Sequence, residues 1–228
     1  MKLVLFDIDG TILWSDGAGR RAMTGALTEL FGTAGPTDYQ YDGKTDPQIV
    51  RELMRSAGHD DPSIDERMPE LVRRYLVYLE RELGGGRPAH LMEGVGALLD
   101  AVEEHPDVML GLLTGNLRDG ASLKLRSAGV DPSRFRVGAF GSDHHRRPEL
   151  PAVAQRRARE LGLDVRGRDM IVIGDTPDDI ACVRPLGGRA IAVATGRFSV
   201  EQLEAHEPYA VFSTLADTDA VLRVILDA

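Results

Sequence analysis

The sequence predicts an α/β fold, a Rossmann-like parallel sheet core with helices on both faces, together with an all-helical segment. Short apolar runs alternate with amphipathic patterns through most of the 228 residues. These runs are continuous in Val, Ile and Leu, which is typical of parallel strands buried on both faces. The region from about residue 15 to residue 86 breaks the alternation and contains no convincing strand. We therefore expect a sheet domain that carries a helical insertion.

Six apolar runs are predicted strands, and six amphipathic segments between or after them are predicted helices. The strands are residues 3–6, 108–113, 137–140, 170–173, 190–193 and 210–212. The helices lie near 95–104, 117–128, 149–161, 178–184, 199–205 and 217–226. Parallel sheets bind ligands beyond the carboxyl ends of their strands. Polar residues that follow the strands are therefore the first candidates for a site.

Three helices are predicted in the insertion. Apolar residues with a three- and four-residue spacing mark the first, over 22–31. Asp46-Pro47 is predicted to open the second, which Gly58 closes, because an N-cap acid and an early proline favour a helix start. The third has its apolar face over 71–83 and ends at a run of glycines.

Two carboxylates, Asp7 and Asp9, follow the first predicted strand. Side chains at positions i and i+2 of an extended segment point to the same side. Two anions held this close repel each other, and a structural site would rarely keep both without a cation. Mg²⁺ favours one or two carboxylates with phosphate oxygens. The pair therefore indicates a magnesium site where one Asp attacks an electrophile and the other handles a proton.

Composition and charge exclude several classes of protein. The content of 43% hydrophobic and 28% charged residues suits an ordinary soluble protein. A net charge of -9 disfavours nucleic acid as a partner. No apolar run is long enough for a membrane span, and no signal-peptide pattern is present. The single cysteine, Cys182, excludes an internal disulfide and favours the reducing cytoplasm.

Four motifs in a fixed order resemble the haloacid dehalogenase-like hydrolases, a superfamily of aspartate-nucleophile phosphatases and mutases. Residues 7–11 (DIDGT) match the first motif, and residues 112–116 (LLTGN) match the second. Arg147 stands where the third usually has Lys, and residues 173–179 (IGDTPDD) match the fourth. The resemblance implies a core of 1–15 and 87–228 and a helical cap domain of 16–86. Segments 16–19 and 84–88 are the expected hinges, although their glycines are equally compatible with ordinary loops.

The resemblance also implies roles for the acidic residues. Asp7 would be the nucleophile that forms an aspartyl-phosphate, and Asp9 the general acid and then the base. Asp7, Asp175 and the backbone carbonyl of Asp9 would hold Mg²⁺, with Asp179 supporting the metal site. The presence of a second Asp at position 9 makes halide removal improbable.

Further residues are candidates for phosphate and substrate binding. The Thr114 hydroxyl would hold a phosphoryl oxygen, and Gly115 and Asn116 follow it at the same strand end; capping of the next helix is the alternative. Gly43 and Lys44 lie before the second insertion helix, where a loop of cap-bearing relatives reads the substrate. Lys44 would then meet a second anionic group, or be a surface lysine.

The cation of the third motif has two candidates. Arg147 is aligned with the usual Lys, although its planar guanidinium is not equivalent to an ammonium. Lys124, on the helix after the second motif, is the second candidate for this cation and would contact the substrate there; a solvated surface lysine is the reading we favour for it.

The resemblance implies a Mg²⁺-dependent phosphatase acting on a small phosphorylated metabolite, with phosphoglycolate as the leading specific substrate. A phosphosugar mutase of the same superfamily is the alternative, and a non-catalytic phosphate-binding module is a third reading. A monomer or homodimer without nucleic acid or membrane partners is expected.

Overall fold

The computed structural model of this protein describes residues 1–86 and 88–228. Its strands are β1 (Lys2–Phe6), β2 (Leu13–Trp14), β3 (His90–Leu91), β4 (Val108–Thr114), β5 (Val137–Phe140), β6 (Met170–Gly174), β7 (Arg189–Val193) and β8 (Ala210–Phe212). Six of them form one parallel sheet in the order β5-β4-β1-β6-β7-β8. All six strands predicted from the sequence are present.

The helices alternate with the strands of the sheet, except that three of them lie between β2 and β3. They are α1 (Ala18–Phe31), α2 (Asp46–Ser56), α3 (Asp61–Gly84), α4 (Val95–Glu104), α5 (Arg118–Ser127), α6 (Leu150–Glu160), α7 (Pro177–Cys182), α8 (Val200–Glu204) and α9 (Thr218–Asp227). No helix in the described part of the chain is both long and apolar enough to cross a bilayer.

Strand β1 divides the hydrophobic core into two clusters. Val4 and Phe6 pack in one cluster, and Leu3 and Leu5 in the other, because alternate side chains point to opposite faces of a sheet. Helices α4, α5 and α9 contribute to the first cluster, and α6, α7 and α8 to the second. The sheet is therefore covered by helices on both faces, and the predicted fold class is confirmed.

The chain runs outward from β1 in both directions of the sheet. It passes from β1 to β4 and β5, and then crosses to β6, β7 and β8 on the other side. The crevice beside β1, at the carboxyl ends of β4 and β6, is thus the topological switch point where open α/β sheets bind ligands.

Helices α1 to α3 form the helical insertion, by which we mean residues 16–86. Leu27 of α1, with Tyr75 and Leu79 of α3, is buried in the same hydrophobic cluster as one face of the sheet. Helix α3 begins at Asp61, ten residues before its predicted apolar face, because Asp60 caps it by accepting from Ser63 N and Pro69 is tolerated inside it. Thr45, not Asp46, is the N-cap of α2.

The two connections of the insertion to the core run side by side. Strands β2 and β3 pair in antiparallel fashion, Leu13 with Leu91 and Trp14 with His90. This ribbon was not predicted, since two-residue strands carry no periodicity. The expected domain boundaries and hinges remain predictions. In the first hinge segment, 16–19, Ala18 and Gly19 already lie in α1. Residue 87, in the second hinge segment, is outside the described residues.

The packing of the buried face of α3 can be tested by a matched pair of substitutions. Leu79 is fully buried, whereas Val77 on the same helix is 68% exposed. We expect Leu79→Ala to lower the unfolding free energy by about 2–5 kcal/mol through loss of burial and a residual cavity. Val77→Ala is the control, with a change within about 0.5 kcal/mol. Equal effects of the two substitutions in urea unfolding would contradict the packing.

Candidate active site

Three neighbouring strand ends place the predicted residues in one crevice. Phe6 pairs with Leu112 of β4 and Ile173 of β6, so that the residues following these strands meet at one edge of the sheet. The Asp7 amide continues the ladder by donating to the Ile173 carbonyl at 2.9 Å. Asp7, Thr114 and Asp175, which are distant in sequence, consequently line the same cavity.

Three buried carboxylates form an acidic cluster in this crevice. One oxygen from each of Asp7, Asp175 and Asp179 lies within 4.8 Å of the other two. Burial raises the pKa of Asp7 above its ordinary value, although Arg147 opposes this, and raises the pKa of Asp175 well above it, reinforced by the charge of Asp179. Such mutual repulsion fits a hard divalent cation, which prefers oxygen ligands of this kind. The cluster therefore suits Mg²⁺.

Arg147 supplies a positive charge beside the acidic cluster. It is 4% exposed; its Nη2 lies 3.1 Å from Asp7 Oδ1 and also contacts Asp179. Burial alone would lower the pKa of Arg147, but the two carboxylates outweigh it and raise that pKa. Nε of Arg147 is a buried donor without a partner among the described residues. The residue aligned with the third motif is thus in direct contact with the candidate nucleophile.

Lys124 pairs with Asp9 rather than with Asp7. Its Nζ donates to Asp9 Oδ2 at 2.6 Å and to Asn116 Oδ1 at 2.7 Å. Lys124 is only 4% exposed, so the expectation of a solvated surface lysine was wrong. Burial alone would raise the pKa of Asp9, but Lys124 and the hydrogen bond from Asn116 outweigh it, and this pKa lies below its ordinary value.

Asn116 links the second motif to Asp9. Its Nδ2 donates to Asp9 Oδ2 and to Thr114 Oγ1, at 2.8 Å in both cases. Thr114 Oγ1 therefore acts as an acceptor in this pair, and its own proton is not used in it. No side chain of this segment caps α5. The capping alternative for Thr114, Gly115 and Asn116 is thus not what the structure shows.

The loop before α2 closes over the site from the insertion. The Gly43 carbonyl accepts from Arg147 Nη1 at 3.3 Å, and the Asp46 amide donates to the Gly115 carbonyl at 2.8 Å. A Cβ at Gly115 would lie 2.0 Å from the Lys44 carbonyl, so only glycine permits this approach. The carboxylate of Asp46 accepts from the Leu117 amide at 2.9 Å and so caps α5 from another part of the chain.

Lys44 lines the cavity but its ammonium is engaged. Nζ donates to Glu52 Oε2 at 2.7 Å and to the Tyr39 hydroxyl at 2.8 Å. Burial alone would raise the pKa of Glu52, but bonds from Lys44 and Tyr39 outweigh it and lower that pKa to about 2. A fixed anion thus offsets the Lys44 charge.

A cavity of about 310 Å³ lies between the sheet edge and the insertion. Several of its lining residues were not predicted from the sequence, because they belong to no motif or were assigned another role. They are Ser15, Arg20, Tyr41, Asp46, Tyr75 and Arg197.

The burial of Lys124 did have a signal in the sequence, since Lys124 shares one face of α5 with buried Ala121 and Leu125. In the fourth motif, Thr176 and Asp179 form the capping box of α7.

Comparison with known proteins assigns the chain to a family. The family model of the haloacid dehalogenase-like hydrolases matches residues 1–187. The chain belongs to this family. Comparison with curated protein sequences gives no match.

Solved structures of the same fold cover nearly the whole chain at low sequence identity. A hydrolase from Pseudomonas syringae has 19% identity and a TM-score of 0.75, over 99% of each chain. A predicted phosphoglycolate phosphatase from Haemophilus somnus has 19% identity and a TM-score of 0.70, over 97% of this chain and 98% of its own. A β-phosphoglucomutase from Clostridium difficile has 14% identity and a TM-score of 0.73, over 100% and 98%. At these identities the likeness shows the fold alone.

Magnesium should stabilise the folded protein through the acidic cluster. A ligand that binds only the folded state at 100 times its Kd adds about 2.7 kcal/mol. We expect Mg²⁺ to raise the Tm of the wild type and Asp175→Asn to lose most of this shift. Asp164→Asn, at an exposed position outside the crevice, is the control. An undiminished shift in Asp175→Asn would argue against the cluster as the metal site.

Asp46 should make the stability depend on pH. Burial raises its pKa from 3.8 to about 6, although Lys124 opposes this. The folded protein therefore binds this proton more tightly than the unfolded chain does. The resulting stability is present below pH 3.8 and is lost as the pH rises through about 6.

Asp46→Asn removes the charge but keeps an acceptor for the Leu117 amide. We expect it to raise the unfolding free energy at pH 8 by about 1–3 kcal/mol, with a smaller gain at acidic pH. Thermal unfolding at several pH values measures this, with Asp164→Asn as the reference. A variant less stable than the wild type at pH 8 would show that the charge itself is stabilising.

Proposed function

We propose that this protein is a magnesium-dependent phosphatase that hydrolyses a small phosphorylated metabolite through an aspartyl-phosphate on Asp7. The observation that carries the proposal is the meeting of Asp7, Asp175 and Asp179 within 4.8 Å, with the Arg147 guanidinium 3.1 Å from Asp7. A buried carboxylate beside a fixed cation and a candidate metal site is suited to attack an anionic phosphoryl group.

In the first step an Asp7 oxygen attacks phosphorus and the bond to the ester oxygen breaks. Asp9 gives its proton to that leaving oxygen, and in the second step takes a proton from the water that cleaves the aspartyl-phosphate. Lys124 and Asn116 favour the ionised form of Asp9, which the second step requires. The first step requires the protonated form, and the proton that Asp9 takes from water in the second step restores it for the next turnover.

Other residues of the crevice bind and orient the phosphoryl group. Thr114 would donate its hydroxyl to a phosphoryl oxygen, with Gly115 and Asn116 beside it, while Arg147 balances the negative charge. Mg²⁺, when bound by Asp7, Asp175 and the Asp9 carbonyl with support from Asp179, would offset charge on the transferring group.

The helical insertion is proposed to act as a cap that excludes bulk water from this chemistry. Its contacts with the core at Arg147, Gly115 and Leu117 support a closed arrangement. Residues 16–86 as the cap, and Gly43 and Lys44 as its substrate-facing loop, form part of the proposal. So do a cytoplasmic location and a monomeric or homodimeric state.

Asp7→Asn tests the nucleophile. The amide keeps the size of the side chain but is a poor nucleophile, so we expect hydrolysis of p-nitrophenyl phosphate to fall at least about 10³-fold while the fold survives. Released p-nitrophenol and circular dichroism measure the two quantities. Asp164→Asn should keep wild-type activity, and retained turnover in Asp7→Asn would falsify the assignment.

The wild type tests the third reading of the sequence, a non-catalytic phosphate-binding module. A rate of hydrolysis that depends on Mg²⁺ would exclude that module.

A phosphosugar mutase is the second candidate, favoured by the β-phosphoglucomutase fold likeness. Phosphoglycolate hydrolysis is the leading specific phosphatase activity, in line with the name of one neighbour. Incubation with phosphoglycolate and with a hexose 1-phosphate separates the two. Released inorganic phosphate supports the phosphatase, whereas an isomeric phosphosugar without free phosphate supports the mutase.

A further inference from the structure

The basic side chains of the cavity differ in how their charge is balanced. Five line it: Arg20, Lys44, Lys124, Arg147 and Arg197. Four are paired with a carboxylate, namely Lys44 with Glu52, Lys124 with Asp9, Arg147 with Asp7, and Arg197 with Asp42. Arg20 has no carboxylate partner in residues 1–86 and 88–228. It is therefore the cavity cation whose charge is left for a ligand.

The Arg20 guanidinium is held in place without being neutralised. Its Cζ lies 4.1 Å from the centre of the Tyr41 ring, and Nη2 donates to the Tyr39 carbonyl at 3.0 Å. A guanidinium has five N–H donors in a rigid fork, so most of them remain free for a carboxylate or phosphate. This pre-organisation reduces the entropy lost on binding.

The position of Arg20 in its helix also favours an anion. It lies in the first turn of α1, a 14-residue helix with no acidic residue in that turn. The positive end of the helix dipole adds to the guanidinium charge there. Lys44, the residue expected from sequence for this role, has its charge offset by Glu52 at 2.7 Å.

We infer that the substrate carries a second anionic group besides the phosphoryl group that is transferred, and that Arg20 recognises it. The inference rests on the proposed function and names its substrate class: a phosphomonoester with a carboxylate or a further phosphate. Its phosphoryl group lies at Asp7 and its second anion at the insertion side of the cavity. Arg20 is then a specificity-determining residue outside the four family motifs.

Matched pairs of esters test this with Mg²⁺-loaded full-length protein. 3-Phosphoglycerate against glycerol 3-phosphate tests a carboxylate, and glucose 1,6-bisphosphate against glucose 6-phosphate tests a second phosphate. We expect the wild type to prefer the additional anion in at least one pair, by kcat/KM. Arg20→Ala should lower that preference by about 10- to 100-fold, the usual effect of losing a charge-assisted hydrogen bond. Arg20→Lys should restore part of it.

Arg21→Ala is the matched control. Arg21 is the next residue of α1, does not line the cavity, and pairs with Glu82 of α3 at 2.6 Å. It should keep the wild-type preference. A wild type without preference in either pair, or a preference that is the same in Arg20→Ala, would overturn the inference while leaving the phosphatase proposal intact.

Binding provides a readout that does not depend on turnover. Calorimetric titration of the Asp7→Asn variant with the same four esters should show the preference, and Asp7→Asn combined with Arg20→Ala should lose it. The esters could bind in a manner that depends on Arg20 while the wild type hydrolyses none of them. That result would support the second-anion subsite and count against the phosphatase proposal. No preference in binding would overturn the subsite.

Discussion

The buried contact of Arg147 with Asp7 and Asp179 is the constraint around which the site is built. Three carboxylates placed this close would repel each other strongly in a low-dielectric crevice, and one guanidinium offsets part of that repulsion before any metal binds. Arg147 also donates to the Gly43 carbonyl of the insertion. One side chain thus ties together the nucleophile, the fourth motif and the loop that covers the cavity.

The sheet was predictable because its strands carry the strongest kind of sequence signal. Runs such as 108–113 and 170–173 are apolar without interruption, and their order with the intervening helices indicates a parallel arrangement. Asp7 and Asp175 were predictable for a related reason, since they directly follow strands β1 and β6. The ribbon of β2 and β3 could not be predicted, because its pairing arises only once the insertion has folded back on itself.

The environments of charged side chains were the least predictable feature. Lys124 looked like a surface lysine, yet the geometry of α5 buries it against Asp9. Asp46 looked like a local helix cap, yet it caps α5, 71 positions away. Lys44 and Arg20 both carry a positive charge at the cavity. They differ because the folded structure places Glu52 beside Lys44, where it offsets the charge of that residue. Contacts between residues distant in sequence decide these cases. The local pattern of α5 indicates a buried face at Lys124 but does not identify Asp9 as its partner.

The ribbon of β2 and β3 has a mechanical consequence for the insertion. The two connections between core and insertion are paired with one another, Leu13 with Leu91 and Trp14 with His90, so a two-stranded ribbon joins the insertion to the core in place of two separate linkers. In the proposed cap role, this pairing would restrict the orientations that the insertion can adopt relative to the core.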